Sequence, residues 1–281
     1  MFSFVNPRKR HQIQQTLAQR RIKRLVLTAS PMKFRPNNRS RIINTPLISC
    51  IVPTRNRPAQ LRECIQMFIN QTYPKKEMII IDDSENTEPI SDVAKWKKFN
   101  IRYFHLRTKV PIGKKRNIAI MKSSGEYIAI WDDDDFHGRT RLSLQMSRIL
   151  NNYGDMTCMK NVVINVHEQD FKKPSMKYIT CKTKSNQNTL FTIPKQYQYQ
   201  IWFKGIINNS LLFPKIYWTM AQFPNNRNVG EDSIFLRKLF QIAPGIRVDR
   251  YNVPFVYNRN NNNTWNMNTI PHQYRIAIKC I

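Results

Sequence analysis

The period of apolar positions changes along the chain, and each change marks an element. Leu47-Ile48-Ser49-Cys50-Ile51-Val52 is a near-continuous apolar run closed by Pro53, the pattern of a strand covered on both faces of a parallel sheet. From Pro58 to Asn70 the spacing switches. Leu61, Cys64, Ile65, Phe68 and Ile69 fall at i, i+3, i+4, i+7 and i+8, one stripe of a helix with proline in its first turn, ended by Tyr73-Pro74. Met78-Ile79-Ile80-Ile81 predicts a second buried strand running into Asp82-Asp83-Ser84, and Ile101–Phe104 a short third. Gly113 precedes a helix predicted to start near Lys115. Ser124-Gly125 then turns the chain into a strand over Tyr127–Trp131, which ends on Asp132-Asp133-Asp134-Asp135.

Strands alternating with helices predict an α/β fold whose parallel strands are joined by right-handed crossovers. Ligands of such sheets bind at the carboxyl ends of the strands. Here those ends carry Pro53-Thr54-Arg55, Asp82-Asp83 and the four aspartates, three polar clusters on one edge. The second half is less regular. Strands are expected at Asn161–Val166, Ser210–Phe213, Ile246–Tyr251 and Pro254–Tyr257, and helices at Lys215–Met220 and Asp232–Phe240. The polar stretch Lys172–Gln200 reads as a long loop, either an acceptor-side lid or a surface excursion.

Charge sharpens this picture. The net charge is +28, and no acidic residue precedes Glu63 while eleven Lys and Arg lie in residues 1–46. With those eleven removed from 46, thirty-five basic residues still face 18 acidic ones, leaving about +17. Basicity is therefore a property of the whole surface and points to anionic partners. The basic N-terminus reads as an extension over 1–46 and is a candidate for peripheral membrane contact. Nucleic acid is disfavoured, since no recognition motif is present and aromatic residues do not interleave with the basic clusters. Five cysteines without a CxxC pair imply a reducing compartment. The absence of a signal-like or membrane-spanning apolar run implies a cytoplasmic protein.

Four adjacent carboxylates repel one another unless a cation intervenes. Mg²⁺ or Mn²⁺, which prefer oxygen ligands, would resolve the conflict, and Asp132 and Asp134 have the spacing to share an ion that also bridges a diphosphate. The alternatives are a solvated acidic loop or a structural Ca²⁺ site. Lys114, Lys115 and Arg116 at a helix start read either as phosphate contacts or as surface charge. Gly230-Glu231-Asp232 opens a helix, where acids serve equally as dipole-favoured caps or as a general base.

Together these segments resemble the family-2 glycosyltransferases. The matching text is Ile51–Arg57, Gln71–Pro74, Ile79–Ser84, Lys115–Ala119, Gly125–Asp135, Gly230–Asp232 and Asn263–Trp265, in order from about Leu47 to Trp265. The resemblance implies a GT-A fold, a Rossmann-like, mostly parallel central sheet flanked by helices with a mixed acceptor-side second half. It places the catalytic domain at 47–270, divided into a nucleotide-sugar-binding half (47–140) and an acceptor-side half (141–270), with a tail at 271–281. It also implies a nucleotide-diphosphate sugar donor (a UDP-sugar is favoured), Mn²⁺ or Mg²⁺, and an inverting single displacement onto a glycan, protein or lipid acceptor. By position, Pro53, Thr54, Arg55 and Asp83 would line the nucleotide, and Lys115, Arg116 and Asn117 would support the donor. Asp132 and Asp134 would hold the metal. Asp135 would touch the sugar, and Asp133 is counted with the donor-facing residues without a metal role. Asp232 would be the catalytic base, with Glu231 beside it.

Two departures stand out. Asn260–Asn263 occupy the place where related sequences often carry a histidine, leaving the distant His272 as a substitute ligand. The QxxRW element of processive synthases is absent, which implies transfer of a single sugar. A non-catalytic sugar-nucleotide or glycan-binding module and a nucleotidyltransferase are the competing classes. The Asn-, Lys- and Ile-rich text suggests an AT-rich genome such as that of a large DNA virus.

Overall fold

A computed structural model describes residues 45–85, 93–160, 162–167, 181–182, 188–193, 203–251 and 255–259. The expectations for 1–44, the tail at 271–281, His272 and the Asn263–Trp265 motif lie outside them.

The main sheet has seven strands: β1 (Ile48–Thr54), β2 (Lys76–Asp82), β3 (Ile101–His105), β4 (Tyr127–Ile130), β6 (Met156–Met159), β10 (Leu212–Pro214) and β11 (Val248–Tyr251). Their order is β11-β6-β10-β4-β1-β2-β3. β1 pairs in parallel with β2 and β4, and β2 with β3. β10 enters antiparallel between β4 and β6, which makes the second half mixed. A smaller sheet joins β5 (Phe136–His137), β12 (Phe255–Arg259), β7 (Val162–His167), β9 (Asn188–Ile193) and β8 (Cys181–Lys182).

Alternation along the strands builds two cores. Cys50, Val52, Met78, Ile80, Ala129 and Trp131 face one way, onto Leu61, Cys64, Ile65 and Phe68 of α1 (Pro58–Ile69). Leu142 and Met146 of α4 (Arg141–Leu150) close the same layer. Ile51, Ile79, Ile81, Ile128 and Ile130 face the other way. They meet Ala119 and Ile120 of α3 (Ile112–Lys122), Trp218 of α5 (Lys215–Met220), and Phe235, Leu236 and Leu239 of α6 (Glu231–Ile242). A four-residue turn, α2 (Val93–Trp96), leads into β3. Each fully buried Leu, Ile or Phe contributes about 1.5–3 kcal/mol, so both cores rest on period-2 strands that are apolar on both sides.

Several expectations are corrected. Pro53 does not stop β1: it lies inside the strand, opposite Ile81. Trp131 donates to the Ile51 carbonyl, so the β1 backbone at alternate residues 51 and 53 faces β4. β4 ends at Ile130, and the missing N–H of Pro53 falls where no ladder bond is due. The segment Lys172–Gln200 is not all loop, because β8 and β9 pair within it. α4 and β6 were not foreseen; α4 buries Arg141 and Gln145 beside Leu142 and Met146, so its inner face reads as polar.

Candidate active site

Thr54, Asp83 and the aspartate run do meet at the carboxyl edge of β1, β2 and β4, because adjacent parallel strands end in register there. The four aspartates then diverge. Asp133 turns inward, accepting from Thr54 Oγ1 at 2.6 Å and from Arg57 Nη1 at 2.9 Å. Burial raises its pKa above the usual carboxylate value, against the pull of Arg57 and the Thr54 hydrogen bond. Asp135 is completely buried and accepts from Asn209 Nδ2 at 2.8 Å, which holds it against the floor. Asp132 and Asp134 are only partly buried. Asp134 Oδ2 accepts from Arg57 Nη1 at 2.9 Å, and Asp132 Oδ1 from Arg116 Nη2 at 3.1 Å. Asp132 is the more open, with its side chain 20% exposed against 6% for Asp134.

Asp83, expected at the rim, has no exposed side-chain surface. Lys115 Nζ donates to its Oδ1 at 2.6 Å and Val110 N–H to its Oδ2 at 2.8 Å. Lys115 also donates to the Thr54 carbonyl at 2.9 Å. Lys115 is thus neither surface charge nor an open phosphate ligand, and a donor reaches this carboxylate only if the pair opens. Arg55 Nη1 donates to the Asp83 carbonyl at 2.6 Å and its guanidinium also pairs with Glu85, which fixes the loop after β1 to that after β2.

Asn117 sits in a closed set of hydrogen bonds. Its amide donates to the Phe223 carbonyl at 2.8 Å and to Asn225 Oδ1 at 2.9 Å. Its oxygen accepts from Trp218 Nε1 at 2.9 Å and from Phe223 N–H at 3.1 Å. All four bonding positions of the side chain are filled, so Asn117 pins the segment before α6 and has none left for a donor.

Arg116 joins the two halves. It is buried, bonds Asp132 on one side and pairs with Glu231 on the other. Burial pushes the Glu231 carboxyl up to about 7, against the pull of Arg116 and with help from Asp232. Arg116 is held charged by Glu231 and Asp132 in spite of burial. The two partners respond in opposite senses, and Arg116 governs because a guanidinium does not deprotonate in proteins. The pair is ionised above neutral pH, and acidification through about 7 breaks it by protonating Glu231. Asp232, by contrast, is only half-buried; its Oδ1 accepts from Ser233 N–H at 2.6 Å in the first turn of α6. Gly230, the residue before the helix, has φ +73, which glycine adopts without strain. At Gly113 a Cβ would lie 2.1 Å from the Pro224 carbonyl oxygen, so α3 approaches the loop before α6 as closely as backbone allows.

Three supporting residues were not anticipated. Arg57 clamps Asp133 and Asp134. Arg141, fully buried on α4, donates to the Ile130 carbonyl at 2.8 Å and to His137 Nδ1 at 2.6 Å. Since guanidinium only donates, His137 Nδ1 is the acceptor and its Nε2–H bonds the Asp132 carbonyl at 3.0 Å. Burial and Arg141 hold the His137 pKa well below the usual value, consistent with that neutral form. The only sequence signal was a histidine and an arginine four apart directly after the aspartates.

Asp132 and Asp134 suit a hard divalent cation completed by water and diphosphate, as Mg²⁺ or Mn²⁺ sites commonly are. Among the described residues no group of three or more His, Cys, Asp or Glu stands ready to enclose a metal alone.

The sequence signature of glycosyl transferase family 2 matches residues 49–217, more than half of the 281 residues. The chain belongs to glycosyl transferase family 2. An uncharacterized glycosyltransferase of Haemophilus influenzae is 30% identical over 165 residues, 58% of this chain and 59% of that protein. Staphylococcus aureus TarS, a poly(ribitol-phosphate) beta-N-acetylglucosaminyltransferase, is 24% identical over 207 residues, 71% of this chain and 33% of TarS. The crystal structure of S. aureus TarS 1–349 in complex with UDP-GlcNAc matches with a TM-score of 0.58 at 21% identity, covering 79% of this chain and 61% of that one. That likeness shows the GT-A fold. The chain spans 16% to 59% of the length of the curated relatives it matches. These relatives are bacterial, which gives the expected viral origin no support. Among the described residues no helix is long and apolar enough to cross a membrane.

Proposed function

We propose that this family-2 chain transfers a single sugar, with inversion, from a nucleotide-diphosphate sugar to an acceptor hydroxyl. The observation that carries the reading is the Asp132–Arg116–Glu231 bridge. It ties the strand-end carboxylates to the helix turn that presents Asp232, so donor and acceptor sites form one unit. A UDP-sugar is the favoured donor, as the TarS neighbour is seen with UDP-GlcNAc.

In this reading the nucleotide lies over the ends of β1 and β2, where Thr54, Arg55 and the Asp83–Lys115 pair shape the floor. Asp132 and Asp134 would hold Mn²⁺ or Mg²⁺, whose positive charge would offset that developing on the leaving diphosphate. Asp232 takes the proton of the acceptor hydroxyl as its oxygen attacks the anomeric carbon opposite the diphosphate. The new C–O bond forms as the old one breaks, and its electron pair leaves with the diphosphate. Arg57 and Arg116 keep the cleft carboxylates apart and fixed, so little reorganisation is needed during the reaction.

The test is a panel of UDP-, GDP- and TDP-sugars with Mn²⁺ or Mg²⁺, read by nucleotide release and thermal shift. One donor should stabilise the protein and release its nucleotide, with release lost in EDTA and in Asp134→Ala. Stabilisation without release would identify a binding module; no response to any donor would reject the reading.

A further inference from the structure

The surface is more cationic than composition alone requires, because the acidic residues are drawn inside. Glu77, Asp82, Asp83, Asp133, Asp135 and Glu231 are all buried in a chain of net charge +28. Two segments bring this imbalance to the cleft. Residues 106–125 and 203–230 contain no Asp or Glu. They adjoin along a seam where Gly113 N–H donates to the Arg227 carbonyl at 3.3 Å and Ile112 N–H to Asn228 Oδ1 at 3.1 Å. Lys114 and Arg227 are exposed on that seam, and Arg107 and Lys109 on the loop entering it. None of these four side chains makes an ion pair with a described residue. The seam ends at Gly230, and Asp232 follows in the first turn of α6.

Unpaired cations on adjoining segments raise the local positive potential, and an anion binding along them offsets it. A neutral acceptor would gain nothing from them. We propose that the seam is the acceptor track and that the acceptor is an anionic glycan bearing phosphate or carboxylate groups along its chain; the assignment to the acceptor rests on Asp232 being the base. The loop entering the seam is held to the strand-end Asp83 through Val110 N–H at 2.8 Å, and the far end of the seam reaches Gly230, two residues before Asp232. The competing source of anion is the donor's own diphosphate.

The test uses the full chain on a glycan array of matched neutral, phosphate-bearing and carboxylate-bearing polymers, read both for bound protein and for sugar incorporated from the donor panel. Lys114→Ser with Arg227→Ser is compared with the charge-matched pair Lys97→Ser with Lys98→Ser, exposed before β3. The anionic glycans should be preferred, with acceptor KM, or array half-saturation if there is no turnover, rising with salt. The seam pair should raise it roughly tenfold, about 1.4 kcal/mol for the two side chains together. Donor KM, kcat and the control pair should stay within about twofold. Equal use of neutral glycans, equal loss in the control pair, a rise in donor KM instead, or displacement by RNA as effective as by anionic glycan would each overturn the proposal. Donor release alone reports on the proposed reaction, so its absence with anion-selective binding intact would reject transfer and leave the track standing.

Discussion

Replacing Arg116 by methionine removes a buried cation that holds Glu231 and Asp132 together. Methionine preserves much of the volume, so the loss is chiefly electrostatic. Glu231 is 4% exposed, and without Arg116 its charge is left buried beside Asp232. Breaking one side of a buried ion pair costs about 3–5 kcal/mol. For a domain of this size each kcal/mol lowers Tm by about 2–4 °C, so a fall of roughly 6–20 °C is expected near pH 7.5. Thermal unfolding of wild type, Arg116→Met, Glu231→Gln and the double variant gives the coupling directly. The double variant should recover more than about 1 kcal/mol of the loss, since glutamine leaves no buried charge behind. Arg116→Lys should be intermediate, because a point-like ammonium does not reproduce the planar fork. A fall below about 3 °C for Arg116→Met, or strictly additive losses, would refute the claim that this bridge joins the two halves.

Three further outcomes follow from the geometry. The Glu231 carboxyl, raised from 4.5 to about 7, binds its proton more tightly folded than unfolded, so its contribution to stability falls as pH rises from about 4.5 to 7. Glu231→Gln should flatten that slope, by an amount on the order of 3 kcal/mol across the window; denaturant unfolding at several pH values reads it, and an unchanged slope would contradict it. Asp232→Asn should lower kcat by about 10²–10⁴ while leaving the nucleotide Kd within about twofold, measured by transfer and by calorimetry; retained transfer would displace the base. Asn117→Leu leaves Trp218 Nε1–H and Phe223 N–H without their acceptor and should destabilise by roughly 2–6 kcal/mol, without changing donor affinity in the folded fraction. A change in donor affinity with stability intact would instead return Asn117 to the donor site.

The carboxyl-edge cluster was legible because it needs only local rules: an apolar run gives a buried strand, parallel crossovers align strand ends, and polar residues there share an edge. Thr54, Asp83 and the aspartates therefore came together as expected. Four aspartates in a row carry no sign of which way each faces, and the tertiary structure divided them. Two were drawn inward, Asp133 by Thr54 and Asp135 by Asn209, leaving Asp132 and Asp134 partly buried. The same limit hid the roles of Asn117 and Lys115, whose partners lie 106 and 32 residues away. It also hid α4, whose buried Arg141 reads as a surface residue until its contacts with His137 and Ile130 exist. Sequence alone determined the period, the strand ends and the chemistry available at them. Tertiary structure decided which charges neutralise one another, because a buried charge takes its partner from whatever the fold brings within a few ångströms, and sequence distance does not record that.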